Sequence, residues 1–310
     1  MKHIVFIVLS MSLLACTFIG CFNRVSTSNN IYVDSSGEAD YHSIQEAINS
    51  IPTNDGNYTI IVKPGVYREN IIIDKPISLI GSDPSTTIIE GTGNGSVIYI
   101  NETGRATIKG FTIKNSGDNG YPGTPDYAAG IRIESNDNTI TDNIIVDNQC
   151  GIYAVSAQRN NISYNIIKDN REYGIYIYVR SSYTIIHHNV FLKNQCGLRI
   201  KHSEHCLVYK NVFMGNEKGL YFCCGATNNT IFHNTFINNT EWSVRDNVGG
   251  NHWDNGLEGN YWFNHNNTDS NNDGIADTPY IISADAEDRY PLMQPVVTYD
   301  KSTLQIKESS

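Results

Sequence analysis

Residues 130–239 repeat themselves about every 22 positions. A glycine followed by an apolar residue recurs as Gly130-Ile131, Gly151-Ile152, Gly174-Ile175, Gly197-Leu198 and Gly219-Leu220, at steps of 21, 23, 23 and 22. An Asn keeps the same frame at Asn143, Asn165, Asn189, Asn211 and Asn234, and a second follows five residues later each time, at Asn148, Asn170, Asn194, Asn216 and Asn239. A fixed period of this size is the signature of a solenoid, in which each unit contacts only its neighbours. Within a unit the apolar residues alternate in short runs, as Ile131 and Ile133, then Ile140, then Ile145. That is strand periodicity, interrupted too often by Asn and Gly for helix. Three short strands and three turns per period close one coil of a parallel β-helix. Coils stack about 4.8 Å apart, so equivalent residues lie on top of one another. Asn tolerates the left-handed turn conformation, and its amide can bond the next coil. The two Asn registers therefore read as structural ladders.

The ends complete the architecture. Residues 31–103 read as an N-terminal cap and first coils. Ile31-Tyr-Val33, Tyr58-Thr-Ile-Ile-Val-Lys63 and Ile71-Ile-Ile-Asp74 are strands, with Pro64-Gly65 as a turn. Ser43-Ile-Gln-Glu46 is a capping box that opens a short helix with Ile44, Ala47, Ile48 and Ile51 on one face, ended by Pro52. Such a helix would cover the open end of the core. Residues 104–245 are the repeats, 246–297 a closing segment and 298–310 a polar tail. The expected fold is all-β: a single-stranded right-handed parallel β-helix with a short N-terminal capping helix.

Residues 1–22 carry an export signal, Met1-Lys2-His3 followed by an uncharged apolar run over 4–22. Leu13-Leu-Ala-Cys16 has the pattern of a bacterial lipobox, which would lipidate Cys16; Phe18-Ile-Gly-Cys21 is a poorer match. Ordinary cleavage, or retention of 4–22 as a membrane anchor, are the alternatives. Each puts the bulk of the protein outside the cytoplasm, touching membrane only through the N-terminus. Seven Asn-x-Ser/Thr sequons (Asn57, Asn94, Asn101, Asn161, Asn228, Asn238, Asn266) are compatible with glycosylation, though an Asn-rich chain produces sequons by chance. The five cysteines beyond the signal, Cys150, Cys196, Cys206, Cys223 and Cys224, are odd in number and cannot all pair. Cys150 and Cys196 share a register two coils apart, about 9–10 Å by strand spacing, beyond disulfide reach. A net charge of −10 with no basic stripe argues against nucleic acid as a partner.

Two resemblances attach to specific residues. Tyr41-His-Ser-Ile-Gln-Glu-Ala-Ile48, Lys63-Pro-Gly-Val-Tyr-Arg-Glu-Asn70 and Leu79-Ile-Gly81 resemble the start of pectin methylesterases and other pectin-lyase-like proteins. The esterase motifs (a Gln-Asp pair, a second Asp in its strand and an Arg-x-Trp) are absent, so esterase chemistry is disfavoured. The repeats are similar to the carbohydrate-binding and sugar-hydrolase type of β-helix. Together with Gly259-Asn-Tyr-Trp262, Asp269-Ser-Asn-Asn-Asp-Gly-Ile-Ala-Asp-Thr-Pro-Tyr280 and Asp288-Arg-Tyr-Pro-Leu-Met293, they resemble the NosD-type family of exported β-helix proteins. That resemblance implies the fold and, more weakly, a periplasmic copper role.

Four places could carry function. Asp269, Asn271, Asp273 and Asp277 stand at positions 1, 3, 5 and 9 of an EF-hand-like spacing, with Gly274 at 6 and the Ile275 carbonyl at 7. This pattern suits Ca²⁺, the alternative being an Asx-rich turn without metal. Position 12 is Tyr280, so Asp285, Glu287 or Asp288 would complete the shell. His202 and Cys224 share a coil offset, with His205, Cys206 and Cys223 nearby; imidazole and thiolate suit Cu(I) or Zn²⁺, the alternative being surface histidines and half-buried thiols. Tyr153, Tyr176 and Tyr221 share one register, as a stripe for stacking sugar rings or as rungs of a structural ladder. The insertion at 115–129, with Gly120-Tyr-Pro-Gly-Thr-Pro-Asp126, breaks the period, and loops added to a solenoid tend to lie at its binding face. Hydrolase or lyase chemistry needs convergent carboxylates, but Asp142 does not share the register of Asp147 and Asp169; Arg171 and Arg180 are the nearby basic residues. Three readings follow: a non-enzymatic surface protein that binds a glycan or envelope component, a copper-handling accessory, or a polysaccharide lyase or hydrolase.

Overall fold

The structure, a computed structural model, describes residues 29–37, 39–52, 58–265, 268–300 and 305–308. The export signal, Cys16, Cys21 and the sequons at Asn57 and Asn266 lie outside the described residues. The chain forms a right-handed parallel β-solenoid of about nine turns with a single short helix among the described residues. Three parallel sheets run its length. The first has nine strands, from Asn29–Val33 to Thr230–Phe232; the second has nine, from Gly65–Arg68 to Tyr261–Trp262; the third has eight, from Ile71–Ile73 to Trp242–Asp246. Each coil gives one strand to each sheet, and inward Ile, Val, Leu and Phe side chains fill one continuous core. Gly65 opens a strand rather than completing the expected turn with Pro64. The coil glycines are required by closeness: a Cβ on Gly151 would collide with the carbonyl of Gly174, and one on Gly174 with that of Gly197.

Both Asn ladders form. Each Asn turns its Oδ1 toward the preceding coil and accepts there from two donors of one Asn. Asn165 Oδ1 accepts from the backbone N–H and Nδ2 of Asn143, Asn189 from Asn165, Asn211 from Asn189 and Asn234 from Asn211, all at 2.9–3.1 Å. The second ladder runs in the same way from Asn148 to Asn239. A third register lies five residues before the first, at Asn138, Asn160, Thr184, Cys206 and Asn229, and continues to Asn251. It bonds as Asn138 to Asn160, Cys206 to Asn229 and Asn229 to Asn251.

The two ends are closed differently. At the start, helix Ile44–Ser50 buries Ile44, Ala47 and Ile48 over the core. Ser43 is its N-cap and accepts from the Glu46 backbone, and a second carboxylate takes up the first two helical N–H groups. The Glu69 carboxylate accepts from Ile44 N and Gln45 N at 2.9 Å each. Lys75 Nζ donates to the Ile48 and Ile51 carbonyls at the other end of the helix. At the far end, the motifs around Trp262 and Asp288 form one unit. Asn260 terminates the first ladder and donates its backbone N–H to Asp288 Oδ2 at 2.7 Å; Trp262 Nε1 donates to the same oxygen at 2.9 Å. Trp262 also continues an inner stack of rings, Phe191, Phe213, Phe236, Trp262 and Tyr280, with centroids 4.0–4.9 Å apart. Burial pushes the Asp288 carboxyl up to about 6 despite these donors. The strands Val297–Asp300 and Gln305–Glu308 form a hairpin whose Val297 packs with Val190 and Val212 on the outside of the second sheet.

Candidate functional site

On the outer face of the third sheet the register places Tyr99, Arg132, Tyr153, Tyr176, Arg199, Tyr221 and Arg245 in one row. A parallel row on one side runs Ala129, Cys150, Tyr173, Cys196, Lys218 and Trp242. On the other side stand Val155, Tyr178, Lys201 and Cys223. Tyr153, Tyr176 and Tyr221 thus share the expected register, but Arg199 stands between the last two. Stacked rungs bring each guanidinium onto its neighbours' rings: Arg132 lies 5.7 and 5.5 Å from the Tyr99 and Tyr153 centroids, and Arg199 lies 5.5, 5.0 and 5.1 Å from Tyr173, Tyr176 and Tyr221. Arg245 lies over Trp242 and Lys201 over Tyr178. These are cation–π distances.

The insertion divides this face. Tyr127, fully buried, meets the Tyr153 ring edge-on at 4.9 Å and donates its hydroxyl to Glu172 at 2.9 Å. Gly123 N–H donates to the Tyr153 hydroxyl, and Arg132 donates to the carbonyls of Pro125 and Tyr127. A small second core results, made of Tyr127, Ala129, Cys150, Tyr153 and Tyr176. Tyr153 and Tyr176 are each 1% exposed, which corrects their expected role: neither ring offers a face to a sugar. Tyr221 remains half-exposed, in an uncovered half with Arg199, Lys201, Trp242 and Arg245.

The basic residues of this face differ in their counterions. Arg132 pairs with Glu134, and Lys218 with Glu217 and Glu241, whereas among the described residues Arg199, Lys201 and Arg245 pair with no carboxylate. Arg199 donates to the Tyr173 hydroxyl at 2.6 Å and to Cys223 Sγ at 3.4 Å, while its Nε is enclosed without a partner. Burial pushes the Tyr173 and Tyr176 phenols and the Cys223 thiol above their ordinary values, so all three are neutral at pH 7. Arg199 is therefore a partly desolvated cation without a counterion, an arrangement folding alone does not favour.

The other expected sites lie apart from this face. Cys206 turns its thiol into the core toward the Ser181 carbonyl, while His202, His205 and Cys224 are exposed at corners in the left-handed conformation. The expected four-residue His–Cys cluster is thus corrected: among the described residues no three His, Cys, Asp or Glu side chains converge to hold a metal. His202 and Cys224 do occupy successive corners, and His202 Nδ1 comes within 3.5 Å of the Cβ position of Gly225. In the acidic loop, Asp269 accepts from the N–H groups of Asp273 and Gly274, Asp273 from that of Ile275, and Asp277 from Ser270 and Thr268. These bonds hold the Asp277 carboxyl below its usual range, Ser270 first and Thr268 next. Asp288 cannot complete that loop's ligand shell because it is buried beneath Trp262. Asp142, Asp147 and Asp169 sit at left-handed corners; Asp142 pairs with Lys109, and Arg171 with Asp118.

Residues 49–267 match the family described as "Periplasmic copper-binding protein (NosD)". The chain belongs to the NosD family. Part of this NosD-family chain is also similar to plant pectinesterases. It is 50% identical over 70 residues to putative pectinesterase 11 of Arabidopsis thaliana, covering 21% of this chain and 20% of that protein. It is 31% identical over 101 residues to probable pectinesterase 67 of the same plant, covering 30% and 29%. The chain therefore spans less than a third of the length of these curated relatives. A solved DFA-IIIase from Arthrobacter chlorophenolicus A6, in complex with DFA-III, superposes with a TM-score of 0.54 over 75% of this chain and 76% of that one, at 13% identity. That is a likeness of fold.

Proposed function

We propose that this NosD-family protein is an exported, non-enzymatic β-helix that binds a surface glycan or envelope component along the uncovered half of the third sheet. The observation that carries the reading is the half-exposed Tyr221 between Arg199 and Arg245, on a flat face with Trp242 beside it. A half-exposed ring flanked by basic side chains suits a sugar, since aromatic faces stack on sugar rings. The pectinesterase similarity supports a carbohydrate ligand. A panel of soluble glycans titrated against the intact protein tests this, with product analysis alongside. Saturable binding without chain cleavage is expected; depolymerisation of any member would replace the binder with an enzyme.

A second reading is copper binding, supported by the family's description and by His202 and Cys224 at successive corners. Imidazole and thiolate are ligands that suit Cu(I). The double substitution H202A/C224A should lose bound copper; equal uptake by the variant removes the site. The spacing of Asp269, Asn271, Asp273, Ile275 and Asp277 supports Ca²⁺ as a brace of the closing segment. A melting temperature unmoved by Ca²⁺ or by chelator would remove that role.

A further inference from the structure

We infer that the ligand of the uncovered third-sheet face is anionic, a saccharide bearing carboxylate groups, and that Arg199 receives one of them. The inference rests on the carbohydrate reading above and names the class of glycan.

Three observations converge. The first is the missing counterion. Arg199 is wedged among Tyr173, Tyr176 and Tyr221, and its hydrogen-bond partners are a phenol and a thiol, both neutral. Cation–π contacts and hydrogen bonds to neutral groups offset part of the cost of desolvating an ion but supply no opposite charge. The deficit is met if an anion completes the site. The second is contrast within one row. Arg132, three rungs away under the insertion, has the same aromatic neighbours in kind but carries its own acid, Glu134, and three backbone carbonyls. Under the insertion the protein supplies the arginine's counter-charge; on the open half it supplies one for Lys218, through Glu217 and Glu241, but none for Arg199 among the described residues. The third is clustering. Lys201 lies one strand position pair from Arg199, and Arg245 lies two rungs on; both are likewise without a carboxylate among the described residues.

The chain as a whole carries −10, which would repel an acidic polymer at long range. At physiological ionic strength interactions between exposed charges are screened beyond about 8 Å, so the local patch decides. Arginine suits this task because its planar fork meets a carboxylate while its faces stay stacked on rings. Tyr221 and Trp242 would take the sugar ring next to the carboxylate held by Arg199.

The test compares three probes of one length: a hexuronate oligomer, its methyl ester and the corresponding neutral hexose oligomer. Each is titrated by calorimetry against the intact protein at low and high salt. The hexuronate is expected to bind at least tenfold more tightly than its ester, and to lose that advantage as salt is raised. Arg199→Gln should erase the preference for the acid. Arg245→Gln, at an exposed position, should reduce it about threefold without changing the melting temperature, so a folding failure of the first variant leaves the test intact. Equal affinity for acid and ester, or a preference that survives both substitutions, overturns the inference while leaving carbohydrate binding in place. Failure of all three oligomers to bind overturns both.

Discussion

The outer face of the third sheet has two halves built from the same rows and put to opposite uses. Under the insertion, Tyr153 and Tyr176 are core residues in all but location, clustered with Tyr127, and the arginine on Tyr153 is paired with an acid. Two rungs on, Tyr221 sits beside an arginine with no acid and no roof. Sequence register alone treats these tyrosines alike. What separates them is one loop that interrupts the period, and it converts a repeating surface into a sealed segment and an open one.

The strongest way to break this comparison is at the roof. Tyr127→Ala empties a fully buried site and should cost about 3–5 kcal/mol, read as a shift of the urea unfolding midpoint. A loss below about 1 kcal/mol would mean that the loop only rests on the sheet. The interior should not share the asymmetry. Asn165 lies inside the roofed half and Asn211 inside the open half, and each accepts two donors from the preceding coil. Asn165→Ala and Asn211→Ala should therefore each cost about 2–4 kcal/mol, from orphaned buried donors, and the two values should agree. A large gap between them would show that the roof stiffens the core beneath it.

A smaller effect distinguishes the open half's end. Asp288 terminates the first ladder there with a carboxyl raised from 3.8 to about 6. Because the folded value lies above the unfolded one, its protonated form binds the native state better. The contribution is fully present below about pH 4, is lost as pH rises through 6, and is absent at neutral pH. Wild type should gain on the order of 2 kcal/mol relative to Asp288→Asn between pH 7 and pH 4, seen as converging or crossing melting curves. A gap independent of pH would show that the carboxyl titrates normally.

Much of this was legible in the chain. The double Asn register gave both ladders, since a period with fixed polar positions leaves stacking as the only place for buried amides to bond. The third register was also readable, five residues before Asn143, Asn165, Asn189, Asn211 and Asn234. Thr184 and Cys206 interrupt it, which hides the pattern and with it the inward direction of Cys206. The tyrosine register does not reveal Arg199, because a rung of opposite character stacks as well as a like one. The burial of Tyr153 and Tyr176 could not be read, because the period says nothing about where an insertion lands. The closing segment was visible as a motif, but its meaning, a carboxylate that ends a ladder, required Asn260, Trp262 and Asp288 to be seen together.

The most direct test of the divided face compares Tyr221→Ala with Tyr153→Ala, each measured for stability and for affinity toward the glycan that binds wild type most tightly. Tyr221→Ala should lower affinity about tenfold, equivalent to about 1.4 kcal/mol, with little change in melting temperature. Tyr153→Ala should destabilise the fold and, at a temperature where it remains native, leave affinity within about twofold. Equal losses of affinity from both substitutions, or none from Tyr221→Ala, would contradict the assignment of the open half as the binding surface.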